Sequence, residues 1–521
     1  MSVKFRISIA ALACLLMGAG SAIAQVINLS DTGPSGAAIQ WLGSRTNGRA
    51  GASLFRADMS GDVDRVDLIV GAPGAGPNAE GQVYILFMGP SYTTGSVSAA
   101  ASATVTGGTG GDQFGASTAA GMIVHREVQP LPPRDLVVGA PGAFGGGGAV
   151  YVFAGPFVWG DQRDPSAATL RILGAAGDQL GSNVTAVDLD GDGYRDIVMS
   201  VPSRGRIYVV FGGPSLSGTR DLSTGQADLT ITLNPGPVSF ATGDFNNDGF
   251  KDLVVGVSSA GSGAGAAYLI KGRARGAFPA TFPIASADAQ FTGIDVGDAA
   301  GTSVQAADFD GDGVTDLVVG APGAAGPGNG RAGAGEAYVL FGQSRFGVSA
   351  SLASADLTIY GAHAGDHLAS ATSAGHIRRD APDDLMFLAP GASPSADIDV
   401  VYGAPRAKLS AQIDLASGID RVLRGDPARA PLESMVPMEV TGKGEDIVAA
   451  SPLATTSNSM SSNGAVYVAL SPTLSLDPAT TAITVAQGAT GTATVHIRNA
   501  GNLIAGWAAR PNTSWLAMTP A

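Results

Sequence analysis

Short aliphatic runs, each opened by an aspartate, recur along this chain: DLIVGAP from Asp67, DLVVGAP from Asp135, DIVMSVP from Asp196, DLVVGV from Asp252, DLVVGAP from Asp316, DLMFLAP from Asp384 and DIVAASP from Asp446. They stand 56 to 68 residues apart. A Gly-rich turn follows each, then a second run: GQVYILF from Gly81, GAVYVFAG from Gly148, GRIYVVFG from Gly205, GAAYLIKG from Gly265, GEAYVLFG from Gly335, DVVYG from Asp399 and GAVYVAL from Gly464. A third phrase precedes the aspartate, clearest as GDQFGAS from Gly111, GDQLGSN from Gly177, GDAAGTS from Gly297 and GDHLASA from Gly365, with a poor version, PVSFATG, from Pro237. No sustained 3.6-residue apolar period interrupts them, so each of seven units reads as about four short strands separated by Gly, Pro, Asn and Asp turns. One such sheet cannot bury both of its faces alone. A closed ring of four-stranded sheets stacks the repeats and leaves only short edges, which predicts an all-β, seven-bladed propeller.

Three of the turns carry chemistry. Residues 188–196 (DLDGDGYRD), 244–252 (DFNNDGFKD) and 308–316 (DFDGDGVTD) place oxygen side chains at positions 1, 3, 5 and 9 and glycine at position 6. Calcium takes six to eight oxygens at about 2.3–2.6 Å, and a chain wraps one only by turning sharply. The expected ligands are Asp188, Asp190, Asp192 and Asp196; Asp244, Asn246, Asp248 and Asp252; and Asp308, Asp310, Asp312 and Asp316. Tyr194, Phe250 and Val314, at position 7, would give backbone carbonyls. Each loop runs into a β-branched strand, where an EF-hand would reach a Glu at position 12 and then a helix. A solvated turn is the bland alternative for any one Asp-rich loop, but three copies at matched places in a repeat argue for metal. Blade 1 offers a fourth candidate, Asp58, Ser60, Asp62, Asp64 and Asp67, one residue longer and without the position-6 glycine. Blades 2, 6 and 7 read MIVHREVQPLPPRD, HIRRDAPDD and VTGKGED in place of the loop and are not expected to bind calcium well.

The ordered set of phrases resembles the FG-GAP repeats of the integrin α-subunit β-propeller and its bacterial relatives, over residues 25–470. The resemblance implies that the calcium loops join the first two strands of a blade on one face and that loops of the opposite face bind partners. The Gly-rich turns 74–81, 142–148 and 323–335 would then lie on the binding face. It also makes VINLS, from Val26, the N-terminal strand that closes the ring by completing the last blade. The function expected is adhesion or protein interaction at a cell surface, with a protein or glycan ligand. For a carbohydrate-binding alternative, Trp159 in PFVWGDQRD is the obvious aromatic platform, although a packed or partly exposed connector residue is the simpler reading.

Composition fits an exported all-β protein. Lys4 and Arg6, an apolar core from Ile7 to Met17 and Ala22-Ile23-Ala24 read as a signal peptide over residues 1–24. The one cysteine, Cys14, lies within it, so disulfides are not expected; ALAC is a poor lipoprotein signal because it lacks Leu three residues before the Cys. No later run is long and apolar enough to span a membrane. The net charge of −14 argues against nucleic acid, which rewards clustered Lys and Arg. After Leu470 the repeat stops, and residues 471–521, with SWLAMTP from Ser514, resemble a partial immunoglobulin-like, BACON-type sandwich.

An enzyme is not expected; a hydrolase of the glycosylphosphatidylinositol phospholipase D type lacking its catalytic domain is the less favoured alternative. Phospholipase D of the glycosylphosphatidylinositol-specific type resembles this chain in its propeller, but its His-rich zinc domain has no counterpart, and no GxSxG, HExxH or Walker loop appears. His363, His367 and His376 are close in sequence, yet His367 stands where other repeats have Gln113, Gln179 and Ala299, which favours plain loop residues. Arg424-Gly425-Asp426 spells a motif that integrins recognise, but its Gly-Asp aligns with the repeat's own phrase, so coincidence is the preferred reading.

Overall fold

A computed structural model describes residues 25–28, 39–62, 65–88, 93–124, 134–342, 346, 348–377, 382–392, 396–418, 421–425, 430–438, 446–455, 461–469, 474–477 and 496–499. Its strands form seven five-stranded sheets, the blades of an all-β propeller, and one two-stranded pair. Blade 3 shows the plan: Val184–Val187, Asp196–Val201, Arg206–Val210 and Leu229–Thr232 pair antiparallel in chain order from the ring axis outward. A fifth, parallel strand, Thr281–Pro283, comes from the connection between the third and fourth strands of blade 4. Every blade receives a strand in this manner, so each connection staples two neighbours together.

The chain's N-terminus corrects the sequence expectation about closure. The strand that completes blade 7 is Ile39–Leu42, antiparallel to Ala465–Ala469. The segment Gln25–Asn28, which holds the start of VINLS, instead pairs parallel with Arg421–Arg424 of blade 6. Gln25–Asn28 and Ile39–Leu42 thus supply the fifth strand of one blade and the fourth of the next, as the other connections do. What decides between the two apolar segments is packing: Trp41 is fully buried between blades 7 and 1, and its indole N–H donates to the Thr93 carbonyl at 3.2 Å.

The core is divided into seven clusters, one per blade interface. Side chains alternate across a strand, so one second strand serves two of them: Ile197, Met199 and Val201 face blade 2, and Val198 faces blade 4. Burial on both faces explains why these strands read as unbroken apolar runs rather than alternating ones.

The glycines that punctuate the repeat meet each other between blades. A Cβ on Gly256 of blade 4 would lie 2.3 Å from the carbonyl oxygen of Gly301 in the next blade's phrase, and Gly139 stands in the same relation to Gly181 at 2.1 Å. Where blade 4 lacks a good copy of the phrase, blade 3 has no glycine at this place and carries Ser200, whose hydroxyl bonds within its own blade. Beyond the ring, Leu474–Asp477 and His496–Asn499 pair antiparallel; the other residues of 471–521, like residues 1–24 with Cys14, lie outside the described residues.

Candidate metal centres

The loops 188–196, 244–252 and 308–316 share one backbone course between the first and second strands of blades 3, 4 and 5. The position-6 glycines have φ of +87°, +92° and +86°, a region that L side chains avoid, which is why glycine stands there. Their N–H groups donate to the position-1 carboxylates: Gly193 to Asp188 at 2.9 Å, Gly249 to Asp244 at 2.9 Å and Gly313 to Asp308 at 3.1 Å. The position-5 N–H donates to position 3, to Asp190 at 3.2 Å, Asn246 at 2.9 Å and Asp310 at 3.1 Å. The position-7 N–H of Tyr194, Phe250 and Val314 donates to the position-5 carboxylate of Asp192, Asp248 and Asp312. The backbone therefore sets the acidic side chains before any ion arrives.

In two loops, three carboxylates converge: Asp188, Asp190 and Asp196 in blade 3, and Asp308, Asp310 and Asp316 in blade 5, with ligand atoms all within 4.8 Å of one another. Asp192 and Asp312 stand outside these groups. Blade 4 does not form such a three-carboxylate group, having an amide, Asn246, at position 3 whose nitrogen donates to Asp248 at 2.9 Å. In blade 5, Asp308 Oδ1 and Asp310 Oδ2 are buried with no hydrogen-bond partner. Buried acceptors lacking a donor are costly, and a hard cation is the chemistry that satisfies two carboxylate oxygens at once. Burial pushes the carboxyls of Asp188 and Asp310 up, and those of Asp196, Asp252 and Asp316 up to about 8, about 6 and about 7. In each case neighbouring acids push further in the same direction.

Position 9 does more than its spacing suggests. The equivalent aspartate opens the second strand in all seven blades and is nearly fully buried in each: Asp67, Asp135, Asp196, Asp252, Asp316, Asp384 and Asp446. In blades 1 to 5 one oxygen accepts from the loop's second residue, as Leu189 to Asp196 at 2.8 Å, and the other from the N–H just past the third strand, as Gly212 to Asp196 at 2.9 Å. Asp135, in a blade without the calcium motif, is held by Ile123, Val124 and Gly155 in the same way. This residue is a structural tie first, and the clue was its presence in blades that lack the rest of the motif.

At the fourth candidate, Gly61 donates to Asp58 at 2.7 Å, Asp62 donates to Ser60 at 3.4 Å, and Asp67 accepts from Met59, Ser60 and Met88. Asp64 lies outside the described residues, and among those described no three carboxylates converge there. Of the loop replacements of blades 2, 6 and 7, residues 125–133, 378–381 and 440–445 lie outside as well.

The three histidines are not brought to one site. His363 pairs with Asp366 at 3.2 Å, His376 with Asp383 at 3.3 Å, and the His367 ring faces the Pro322 carbonyl at 2.9 Å. His367 has a φ of +54°, matching Gln113, Gln179 and Ala299, which confirms it as the same loop position. Asp426 lies outside the described residues. Trp159 is 74% exposed and meets Phe87 edge-on at 6.5 Å. It follows a third strand, so it sits on the calcium-loop side rather than among the Gly-rich turns. Between blades 3, 4 and 5 on that same side, a cavity of about 460 Å³ is lined by residues that include Asp188, Arg195, Lys251 and Asp308.

Comparison with known proteins agrees with this geometry. The FG-GAP-like repeat matches residues 188–255 and 244–319, and the FG-GAP repeat matches 300–340. Mouse phosphatidylinositol-glycan-specific phospholipase D is 30% identical over 159 residues, covering 28% of this chain and 18% of the mouse protein. Integrin alpha-PS5 of Drosophila melanogaster is 31% identical over 157 residues, 28% of this chain and 15% of its own. Mouse integrin alpha-IIb is 34% identical over 162 residues, with 28% and 15% covered. Matched repeats, integrin α relatives and a seven-bladed ring together show an FG-GAP propeller like the N-terminal domain of the integrin α subunit. The chain spans a fifth or less of the length of these relatives. Among the described residues no helix is long and apolar enough to cross a membrane.

Proposed function

We propose that this chain is a secreted, calcium-stabilised propeller that serves as a non-enzymatic binding module, engaging a protein ligand through the face opposite its calcium loops. The observation that carries the metal part is the pair of buried, unpartnered oxygens of Asp308 and Asp310 inside a preformed acidic loop. Calcium in loops 188–196, 244–252 and 308–316 would take their position-1, -3, -5 and -9 side chains and the carbonyls of Tyr194, Phe250 and Val314. The ligand face rests on the likeness to integrin α propellers; apolar side chains stand in water on both sides, Phe144, Ile294, Val296 and Leu453 on the Gly-rich side and Val66, Val158, Trp159 and Val348 on the other. Secretion follows from the signal-like residues 1–24.

A glycan ligand is the second reading, favoured by the exposure of Trp159. It places the ligand on the other face, which makes the two readings separable. Binding of the secreted protein to a combined glycan and matrix-protein array, with calcium and with chelator, tests both. Val296→Asp should abolish binding to a protein spot and leave any glycan spot intact; Trp159→Ala should do the reverse. A folded protein that binds nothing in either condition would refute the binding-module reading.

A further inference from the structure

Two carboxylates of the blade 3 loop are already engaged, by a residue from another blade. Arg275 lies in the connection after the third strand of blade 4. Its Nε donates to Asp190 Oδ2 at 2.6 Å, and its Nη2 donates to Asp192 Oδ2 and to the Gly212 carbonyl, both at 3.0 Å. The guanidinium lies over the Phe211 ring, 4.8 Å from its centroid. The Asp190 side chain is 1% exposed, so this fork supplies the charge that water cannot.

Blade 5 shows the same device in a different arrangement. Arg406, at the matching place in blade 6, lies 4.4 Å over Phe341, but its Nη2 donates to Asp356 at 3.2 Å and leaves Asp310 Oδ2 without a partner. The blade 3 equivalent of Asp356 is Asp228, and Arg220 already pairs with it at 2.8 Å. Arg275 therefore bonds the loop directly, whereas Arg406 bonds Asp356 and acts on Asp310 only through space.

The sequence repeats the pattern. The residue three beyond the glycine that closes the third strand is Val158 in blade 2, Ser215 in blade 3, Arg275 in blade 4, Arg345 in blade 5 and Arg406 in blade 6. This connection runs over the preceding blade's loop: Arg273 N–H donates to the Leu189 carbonyl, Gly213 to Ile123 and Ala404 to Phe309. Arginine thus follows the three blades with a complete calcium motif, while blades 1 and 2 are followed by Val158 and Ser215. Arg345 itself lies outside the described residues.

We propose that this arginine is the built-in counter-cation of the calcium loop and that it ranks the sites. The blade 5 loop, from which Asp356 withdraws Arg406, takes calcium more tightly; the blade 3 loop, gripped by Arg275, takes it more weakly and stays folded without it. The inference rests on the calcium reading above. A single positive charge about 6 Å from a divalent ion in a high effective dielectric lowers affinity on the order of tenfold.

Tyr194 makes the blade 3 site separately observable, because the matching residues elsewhere are Phe250 and Val314. Terbium bound in that loop is excited through Tyr194, with Tyr194→Phe as the control that removes the signal, and calcium titration displaces it. Arg275→Gln should tighten the Tyr194-sensitised site about tenfold, Arg275→Lys should stay near wild type, and Arg406→Gln should leave it unchanged. In chelator, Arg275→Gln should melt below wild type. Unchanged or weaker affinity in Arg275→Gln, with wild type binding normally, overturns the counter-cation role alone. A wild type that binds neither terbium nor calcium overturns the calcium reading and this inference with it. Circular dichroism establishes that each variant is folded, and Arg275→Met, which also removes the charge but keeps the apolar stem over Phe211, keeps the charge test available should Arg275→Gln fail to fold.

Discussion

Replacing Asp135 by Asn tests whether the strand-opening aspartate is a structural tie in its own right. Blade 2 has no calcium motif, so no ion confuses the result. Asp135 is fully buried, and its carboxylate accepts from Ile123 and Val124 at 2.8 Å on one oxygen and from Gly155 at 3.2 Å on the other. An amide offers one acceptor oxygen, so its NH₂ must face at least one of these N–H groups. Each buried donor stripped of its partner costs about 1–3 kcal/mol. Asp135→Asn, with its NH₂ turned to Gly155, should therefore cost about 1–3 kcal/mol, and Asp135→Ala, which strips all three, about 3–9 kcal/mol. With an unfolding entropy near 2.1 cal/mol/K per residue, a cooperative ring of roughly 400 residues shifts by about 1 °C per kcal/mol. Thermal melts should fall by about 1–3 °C and 3–9 °C, equally in calcium and in chelator. An Asn variant melting within a fraction of a degree of wild type, or a shift seen only with calcium, would refute the structural role.

Three other outcomes follow from the same reasoning. Gly256→Ala forces a methyl onto the Gly301 carbonyl and should cost roughly 1–3 kcal/mol, whereas Ser200→Ala, at the equivalent place in blade 3, should cost less; equal denaturant midpoints would count against the inter-blade contact. Trp41→Ala should cost about 3–5 kcal/mol and open the ring, while deleting the strand Gln25–Asn28 should do less damage; the opposite ranking in urea melts would restore VINLS as the closing strand. Asp399 stands where the third strands of the other six blades carry a tyrosine, and burial, then Asp397 and Asp366, push its carboxyl up to about 8 from 3.8. The folded chain keeps this proton to about pH 8 while the unfolded chain loses it near 3.8. The group's contribution is thus full below pH 3.8 and is lost as pH rises towards 8, by at most about 1.4 kcal/mol per pH unit. Asp399→Asn should gain on wild type between pH 5 and pH 8, and a pH-independent difference in melting temperature would sink that argument.

The propeller was legible because its second and third strands are buried on both faces, so they appear as aliphatic runs that need no alternation to be recognised. The loops were legible because calcium demands oxygens at fixed spacing and glycine at the sharp turn. Closure was harder. VINLS and IQWL are both short apolar segments, both pair in the ring, and only the burial of Trp41 against blade 1 assigns the antiparallel slot to Ile39–Leu42. The double use of Asp196, Asp252 and Asp316 was hidden because a metal ligand and a backbone tie ask for the same residue. Arg275 could not be found from the loop at all, since it stands 83 residues from Asp192 and acts across a blade boundary. Its recurrence at one place in blades 4, 5 and 6 was the available signal.

Calcium stoichiometry, measured by equilibrium dialysis on the folded protein together with melts in millimolar calcium and in chelator, tests the central claim most directly. Three ions per chain are expected. A site with a dissociation constant near 0.1 mM gains about 1.4 kcal/mol in 1 mM calcium and the weaker blade 3 site less, about 3–4 kcal/mol in all, which raises the melting temperature by about 3–4 °C. Asp308→Asn should remove one ion and its share of that shift. A protein that retains no calcium and melts identically in both conditions would contradict the account.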